Sequence, residues 1–193
     1  FQNIVVALTD EPQIYVKRHL VPFGEFYPVP GFIRNWMRLM NLPTGDAIPG
    51  AADQPPLSVA GEKVAVTICY EDVFGAEQLR YLADATLLVN VSNDAWFGDS
   101  IAPHQHLQIA RVRAAEAGRY LLRSTNTGVT AIIDPNGRVV DSLPQFHAGV
   151  LKATVRGYTG ATPYGRVGNY LVVVLALVLL LAVLVAAKRR TAR

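Results

Sequence analysis

The chain has 193 residues, of which 51% are hydrophobic and 17% charged, with a single cysteine. That composition suits one domain with its own core; it excludes a disordered chain, an intrachain disulfide framework and a multi-cysteine zinc site. The net charge of +3 is local: Lys188, Arg189, Arg190 and Arg193 all fall in the last six residues, and without these four the balance is 14 positive against 15 negative, so no nucleic-acid partner is expected.

Along the chain, short β runs alternate with helical stretches. Residues 4–8 and 14–16 read as strands, the second leading into Lys17-Arg18-His19. Residues 26–56 are rich in Pro and Gly and form a long excursion. Within it Phe32, Ile33, Trp36, Met37, Leu39 and Met40 recur at helical spacing, with Arg34, Asn35 and Arg38 on the other face. That pattern fits a lipid-facing lid, and equally an ordinary core-packing helix. Residues 63–68 form a buried-type strand ending at Cys69, residues 75–83 a helix, and residues 86–91 another buried strand. Residues 103–118 read as a helix with Pro in its first turn and Gly at its end. Strands follow at 120–124, 129–133 and 138–140, the last two joined by a β-turn at Asp134-Pro135-Asn136-Gly137, and a final strand at 149–155. The alternation argues for an α/β layered domain over residues 1–156, followed by a Gly-rich linker at 157–168.

Residues 171–187 form an unbroken apolar run with Tyr170 at its start. At ~1.5 Å per residue, a helix of that length with its flanks crosses a hydrocarbon core of roughly 30 Å. We therefore expect a transmembrane helix over 169–187 and a basic cytoplasmic tail over 188–193. Lys and Arg favour the cytoplasmic side, which places residues 1–168 outside the cytoplasm. The chain opens without Met and with a strand-like run already under way. A fragment, or one chain of a larger assembly, is expected.

Cys69 stands where a strand turns toward a helix, a place where a nucleophile can be lifted beside backbone N–H groups able to hold an oxyanion. A lone cysteine is also commonly a small buried hydrophobe. The acids that follow it, Glu71 and Asp72, would raise a thiol pKa unless a cation offsets them, and Lys17 is a candidate cation. His104 and His106 have no Cys or acidic partner at ligand spacing, so polar roles at a helix start or toward solvent are expected and no metal is. Arg111, Arg113, Glu116 and Arg119 read as surface or interdomain ion pairs. Asn93, Asp94, Trp96 and Phe97 follow a strand directly, where pocket walls are usual in α/β folds. Asn126 and Gly128 fit either turn or pocket positions.

Taken in order, Tyr15-Val16-Lys17-Arg18-His19-Leu20-Val21-Pro22-Phe23-Gly24-Glu25, Ile68-Cys69-Tyr70-Glu71, Asn90-Val91-Ser92-Asn93-Asp94-Ala95-Trp96-Phe97-Gly98, Pro103-His104-Gln105-His106 and Arg123-Ser124-Thr125-Asn126-Thr127-Gly128 resemble the carbon–nitrogen hydrolase (nitrilase) superfamily. Within it, the set is most similar to the catalytic domain of the bacterial apolipoprotein N-acyltransferases. The resemblance implies an αββα sandwich, N-terminally incomplete here, with a C-terminal membrane helix. It also implies a Glu-Lys-Cys triad, in which Cys69 is the nucleophile and Lys17 the oxyanion-stabilising cation. Glu25 matches a supporting Glu, and Tyr70 and Glu71 match positions needed beside the nucleophile. The family's general base is a Glu well upstream of the Lys motif. Only 16 residues precede Lys17, and Glu11 is in the wrong context, so the base and the N-terminal membrane helices are expected outside this chain, which alone would be inactive.

The activity implied is transfer of an acyl chain from a phospholipid, through a Cys thioester, to the N-terminal amine of a diacylated apolipoprotein at the bacterial inner membrane, without metal or organic cofactor. The alternatives are a membrane-tethered amidase, in which water replaces the amine, and a catalytically incomplete fragment.

Overall fold

The computed structural model describes residues 1–42, 45–81 and 84–191. The end of the expected 75–83 helix and Arg193 of the basic tail lie outside the described residues. β1 (Ile4–Ala7) and β2 (Gln13–Val16) pair antiparallel as a two-stranded sheet. A second sheet runs in the order β3 (Leu57–Val59), β4 (Glu62–Ile68), β5 (Leu87–Ser92), β6 (Leu121–Thr125), β7 (Thr130–Ile133) and β8 (Val139–Leu143). β4, β5 and β6 are parallel, and antiparallel hairpins flank them on both sides.

The central strands are apolar in sequence because both of their faces are covered, as in α/β proteins generally. Ala65, Leu88, Leu121 and Ile133 project from one face against α3 (Ala102–Ala117), which contributes Ala110, Ala114 and Ala117. Alanines spaced four and three apart place small side chains on one helical face, so helix and sheet approach closely. The helix stops at Gly118, whose φ of +63° forms a left-handed cap. Val64, Val66, Leu87 and Leu57 project from the opposite face and meet Ala7 and Tyr15 of the two-stranded sheet. The layers are therefore helix, sheet and sheet, with the C-terminal ends of β4 and β5 opening between them.

Most expected elements are present, with four differences. β3 joins β4 through Ala60-Gly61, a two-residue turn in which both residues have positive φ, at +50° and +83°. Residues 75–81 form a single helical turn, α2 (Gly75–Gln78), followed by a 3-10 turn at Leu79–Tyr81. Residues 149–155 form no strand. The 157–168 linker is not free: Tyr158 donates its N–H to Thr86 O at 3.0 Å, and Thr162 donates its hydroxyl to Glu116 O at 2.5 Å. Thr162 also caps α4 (Pro163–Val167) by accepting the Gly165 N–H at 2.8 Å.

Between the sheets' connecting loops, α1 (Gly31–Leu39) buries no residue at all. The final helix, α5 (Tyr170–Thr191), contains a 19-residue stretch, Tyr170–Lys188, that is long and apolar enough to cross a membrane, and none of it is buried.

Candidate active site

At the end of β4 the backbone turns sharply. Cys69 adopts φ of +53°, in the left-handed region that few non-glycine residues occupy, and a 3-10 turn runs from Cys69 to Val73. Such strain persists only where surrounding contacts over-determine it. Glu71 supplies several of them. Its buried carboxylate accepts the Ile68 N–H at 2.7 Å on one oxygen. On the other it accepts the N–H of Arg18 at 2.7 Å and of His19 at 3.2 Å, and the Tyr15 hydroxyl donates to both oxygens. Burial and the neighbouring Glu71 charge push the Tyr15 phenol above its ordinary range, so it remains a donor.

Lys17 follows β2 and is almost wholly buried. Its Nζ donates to both oxygens of Glu25, at 2.7 and 2.8 Å. Glu25 sits in a tight loop where its own N–H donates to Val21 O at 2.8 Å, while its carboxylate accepts the Val21 N–H at 2.8 Å. The loop closes on its own side chain across the stretch Pro22-Phe23-Gly24-Glu25, with Phe23 at φ of +62°.

Lys17, Glu25, Cys69, Tyr70, Asn93, Trp96 and Phe97 all line one cavity of about 960 Å³, whose walls are completed largely by apolar side chains such as Ile4, Val21, Val73 and Ile109. That volume is at the upper end of ordinary ligand pockets. A thiol, an ammonium and a carboxylate thus face one mostly apolar space. Two named residues are placed otherwise. Glu71 lies buried beneath the turn as a backbone organiser. Asp94, expected in the pocket wall, lies behind it: its N–H receives support from Asn126 Oδ1 at 3.2 Å, and its carboxylate points into the interior.

That interior holds a cluster that the sequence reading missed. Arg123, buried on β6, donates from Nη2 to Asp94 Oδ2 at 3.0 Å and from Nη1 to Asp72 Oδ2 at 3.5 Å and to Asn90 Oδ1. His106, expected at a helix start or facing solvent, is instead buried between the same two carboxylates. Its Nδ1 is 3.0 Å from Asp94 Oδ1 and its Nε2 3.1 Å from Asp72 Oδ1. Ser92 donates to Asp94 Oδ1 at 2.6 Å. Burial alone would lower the His106 pKa, but the hydrogen bonds to Asp72 and Asp94 outweigh it and raise it to about 9. Burial likewise opposes ionisation of Asp94, yet the His106 and Ser92 hydrogen bonds hold its carboxyl below the usual range. Gly128 is needed here because a Cβ would lie 2.1 Å from Asp94 Oδ2.

A signal for the cluster existed. Leu121 and Arg123 alternate onto the same face of β6, so an arginine at that position has to find buried partners. The ion-pair reading of α3 holds for Arg113 and Glu116, 3.0 Å apart. Arg119 lies away from the surface: it is buried and donates to the carbonyls of Ala85 and Gly160 at 3.0 and 2.7 Å, tying the 157–168 segment to the domain. Arg111 similarly donates to Gly137 O at 2.8 Å. No group of three or more His, Cys, Asp or Glu side chains suited to a metal occurs among the described residues.

Comparison with known proteins gives a consistent answer. The carbon–nitrogen hydrolase family model matches residues 2–164. The apolipoprotein N-acyltransferase of Nitrosomonas europaea is 55% identical over 174 residues, covering 90% of this chain and 35% of that protein. The corresponding protein of Chromobacterium violaceum is 48% identical over 98% of this chain and 37% of its own length. The chain spans about a third of the length of the curated relatives it matches. Among solved structures, the C. elegans NitFhit protein superposes with a TM-score of 0.50 at 21% identity, over 69% of this chain and 32% of that one, a likeness of fold. The chain belongs to the carbon–nitrogen hydrolase family, and its sequence is similar to that family's apolipoprotein N-acyltransferases.

Proposed function

We propose that the chain carries the nucleophile-bearing part of a membrane-bound N-acyltransferase that matures bacterial lipoproteins. The observation that carries this reading is the placement of Cys69 and the Lys17–Glu25 pair on one large, mostly apolar cavity. Cys69 Sγ attacks the ester carbonyl of a phospholipid; a C–S bond forms, the C–O bond breaks, and the lysophospholipid leaves carrying a proton. The free α-amino group of a diacylglyceryl-cysteine then attacks the thioester, an N–C bond forms, and the Cys69 thiol is regenerated. Lys17 stabilises the tetrahedral oxyanion, and Glu25 holds the Lys17 ammonium in place. Tyr70 lines the acyl site, and Asn93, Trp96 and Phe97 form its far wall.

The general base is a Glu contributed by the N-terminal portion of the enzyme, together with further membrane helices and the strands that complete an αββα sandwich. The domain over 1–156 faces the periplasm, and the 157–168 segment connects it to a transmembrane helix over 169–187. The 188–193 tail is cytoplasmic. α1 is a lid whose Phe32, Ile33, Trp36, Met37 and Met40 meet lipid.

The test joins this chain to its N-terminal portion and supplies labelled phospholipid with a diacylated lipopeptide. The expected result is an acyl-Cys69 thioester followed by amide-linked acyl product. Free fatty acid as the sole product would make the protein a hydrolase. A Cys69→Ser variant that still formed a thioester would refute the nucleophile assignment.

A further inference from the structure

His106 reaches from α3 to the turn that carries Cys69. Besides its two carboxylate partners, its Nε2 lies 3.4 Å from the Cys69 carbonyl oxygen. Carboxylate and carbonyl oxygens only accept, so Nδ1 and Nε2 each have to supply a proton, and a neutral imidazole could serve only one side. Arg123 bonds the second oxygen of each carboxylate. Two carboxylates then face two cations, and the buried charges balance only when the imidazole is charged.

We propose that His106 is a positioning residue for Cys69: as an imidazolium clamped between Asp72 and Asp94, it holds the Cys69 carbonyl and fixes the left-handed turn that presents the thiol to the cavity. This role rests on the reading of Cys69 as the nucleophile. Its pKa of about 9 agrees with a charge kept through neutral pH. The ionisable groups facing the ring are Asp72 from the turn after β4, Asp94 from the loop after β5, and Arg123 from β6, while Cys69 meets it through its carbonyl. Asp72 and Asp94 connect the ends of β4 and β5 to α3 through this ring, so the charge locks the thiol's turn to the sheet.

Three measurements on the protein in detergent micelles test the proposal. In protein labelled with ¹⁵N-histidine, His106 is expected to show both ring nitrogens protonated at pH 7 and to titrate near pH 9; a neutral ring at pH 7 overturns the proposal. Alkylation of Cys69 by iodoacetamide needs no acyl donor, and should fall several-fold in folded His106→Gln but not in His104→Gln, whose side chain is exposed. An unchanged rate in His106→Gln overturns the proposal. With the N-terminal portion present, thioester formation in His106→Gln should slow by at least about tenfold at unchanged KM for phospholipid. A raised KM alone would make His106 a substrate contact instead. If the wild-type protein forms no thioester, the acyltransferase reading fails, while the ring titration and alkylation still decide the role of His106.

Discussion

The backbone N–H of Arg18 donates to Glu71 at 2.7 Å, and the same carboxylate accepts the N–H of Ile68 at 2.7 Å through its other oxygen. The residue after Lys17 and the residue before Cys69 therefore hang on one side chain, so the ammonium and the thiol share a single backbone support. Replacing Glu71 by Gln turns one acceptor oxygen into an NH₂ that faces donors. At least one buried N–H then loses its partner, at about 1–3 kcal/mol. Glu71→Gln should lower the denaturation midpoint measurably and slow thioester formation, although Glu71 does not line the cavity. A variant with wild-type stability and rate would show that the shared support is dispensable.

The buried cluster predicts a pH dependence with a definite sign. His106 has a folded pKa raised from 6.5 to about 9. Its stabilising contribution is complete below the unfolded value and is lost as pH rises through about 9. Asp94 shifts the other way, so its contribution is present above the ordinary carboxylate range and declines as pH falls through its depressed value. The urea midpoint should therefore fall across pH 7–9.5 in the wild type. In His106→Gln that alkaline slope should flatten, and a slope unchanged by the substitution would assign the loss to other groups.

Gly128 tests the same cluster by packing alone. A methyl group there would lie 2.1 Å from Asp94 Oδ2 and 2.9 Å from Asp94 Cβ, and Asp94 is held by Arg123, His106 and Ser92. Because Asp94 cannot yield without releasing a buried ion pair, Gly128→Ala should cost at least about 1–3 kcal/mol. Thermal unfolding of the variant measures this directly.

What the sequence disclosed, and what it hid, follows from how each feature is encoded. The strands 63–68 and 86–91 were legible because continuous apolar runs reflect burial on both faces. The 103–118 helix was legible because Pro and Gly punctuate it. Cys69, Lys17 and Glu25 could be named from ordered motifs, and all three line one cavity. The Asp72–His106–Asp94–Arg123 cluster was hidden because its members come from four separate segments, and no local spacing brings them together. The 149–155 stretch was expected as a final strand, yet no neighbouring strand pairs with it among the described residues. The β3–β4 hairpin was missed because Ala60-Gly61 lacks the Asn or Asp that usually marks such a turn.

That hairpin gives a stabilising prediction. Ala60 pays for a left-handed conformation, φ +50°, that asparagine adopts more readily. Ala60→Asn creates the Asn-Gly pair favoured in two-residue hairpins whose central residues both have positive φ. The side chain is exposed, so no packing is disturbed. A gain of roughly 0.5–1 kcal/mol in urea unfolding is expected; no gain would mean that the turn's strain is relieved elsewhere.

The lid proposal makes the last prediction. α1 exposes Phe32 at 75% and Trp36 at 55%, with Met40 at 58% just beyond its end, whereas Ile33 and Met37 are half-buried. A core-packing helix would cover Phe32 and Trp36; here both stand exposed, while Arg34 donates to Tyr27 O at 3.0 Å and the exposed Arg38 pairs with Asp46 at 3.1 Å. Such an amphipathic helix, with large apolar side chains exposed, is suited to lie at a bilayer surface. In a Trp96→Phe background, lipids brominated along their chains should quench the fluorescence of Trp36. Phe32→Ser with Trp36→Ser should then reduce phospholipid turnover several-fold in the joined enzyme, with little loss of stability because neither side chain is buried. Unquenched Trp36, or unchanged turnover in the double variant, would remove α1 from the path of the acyl chain.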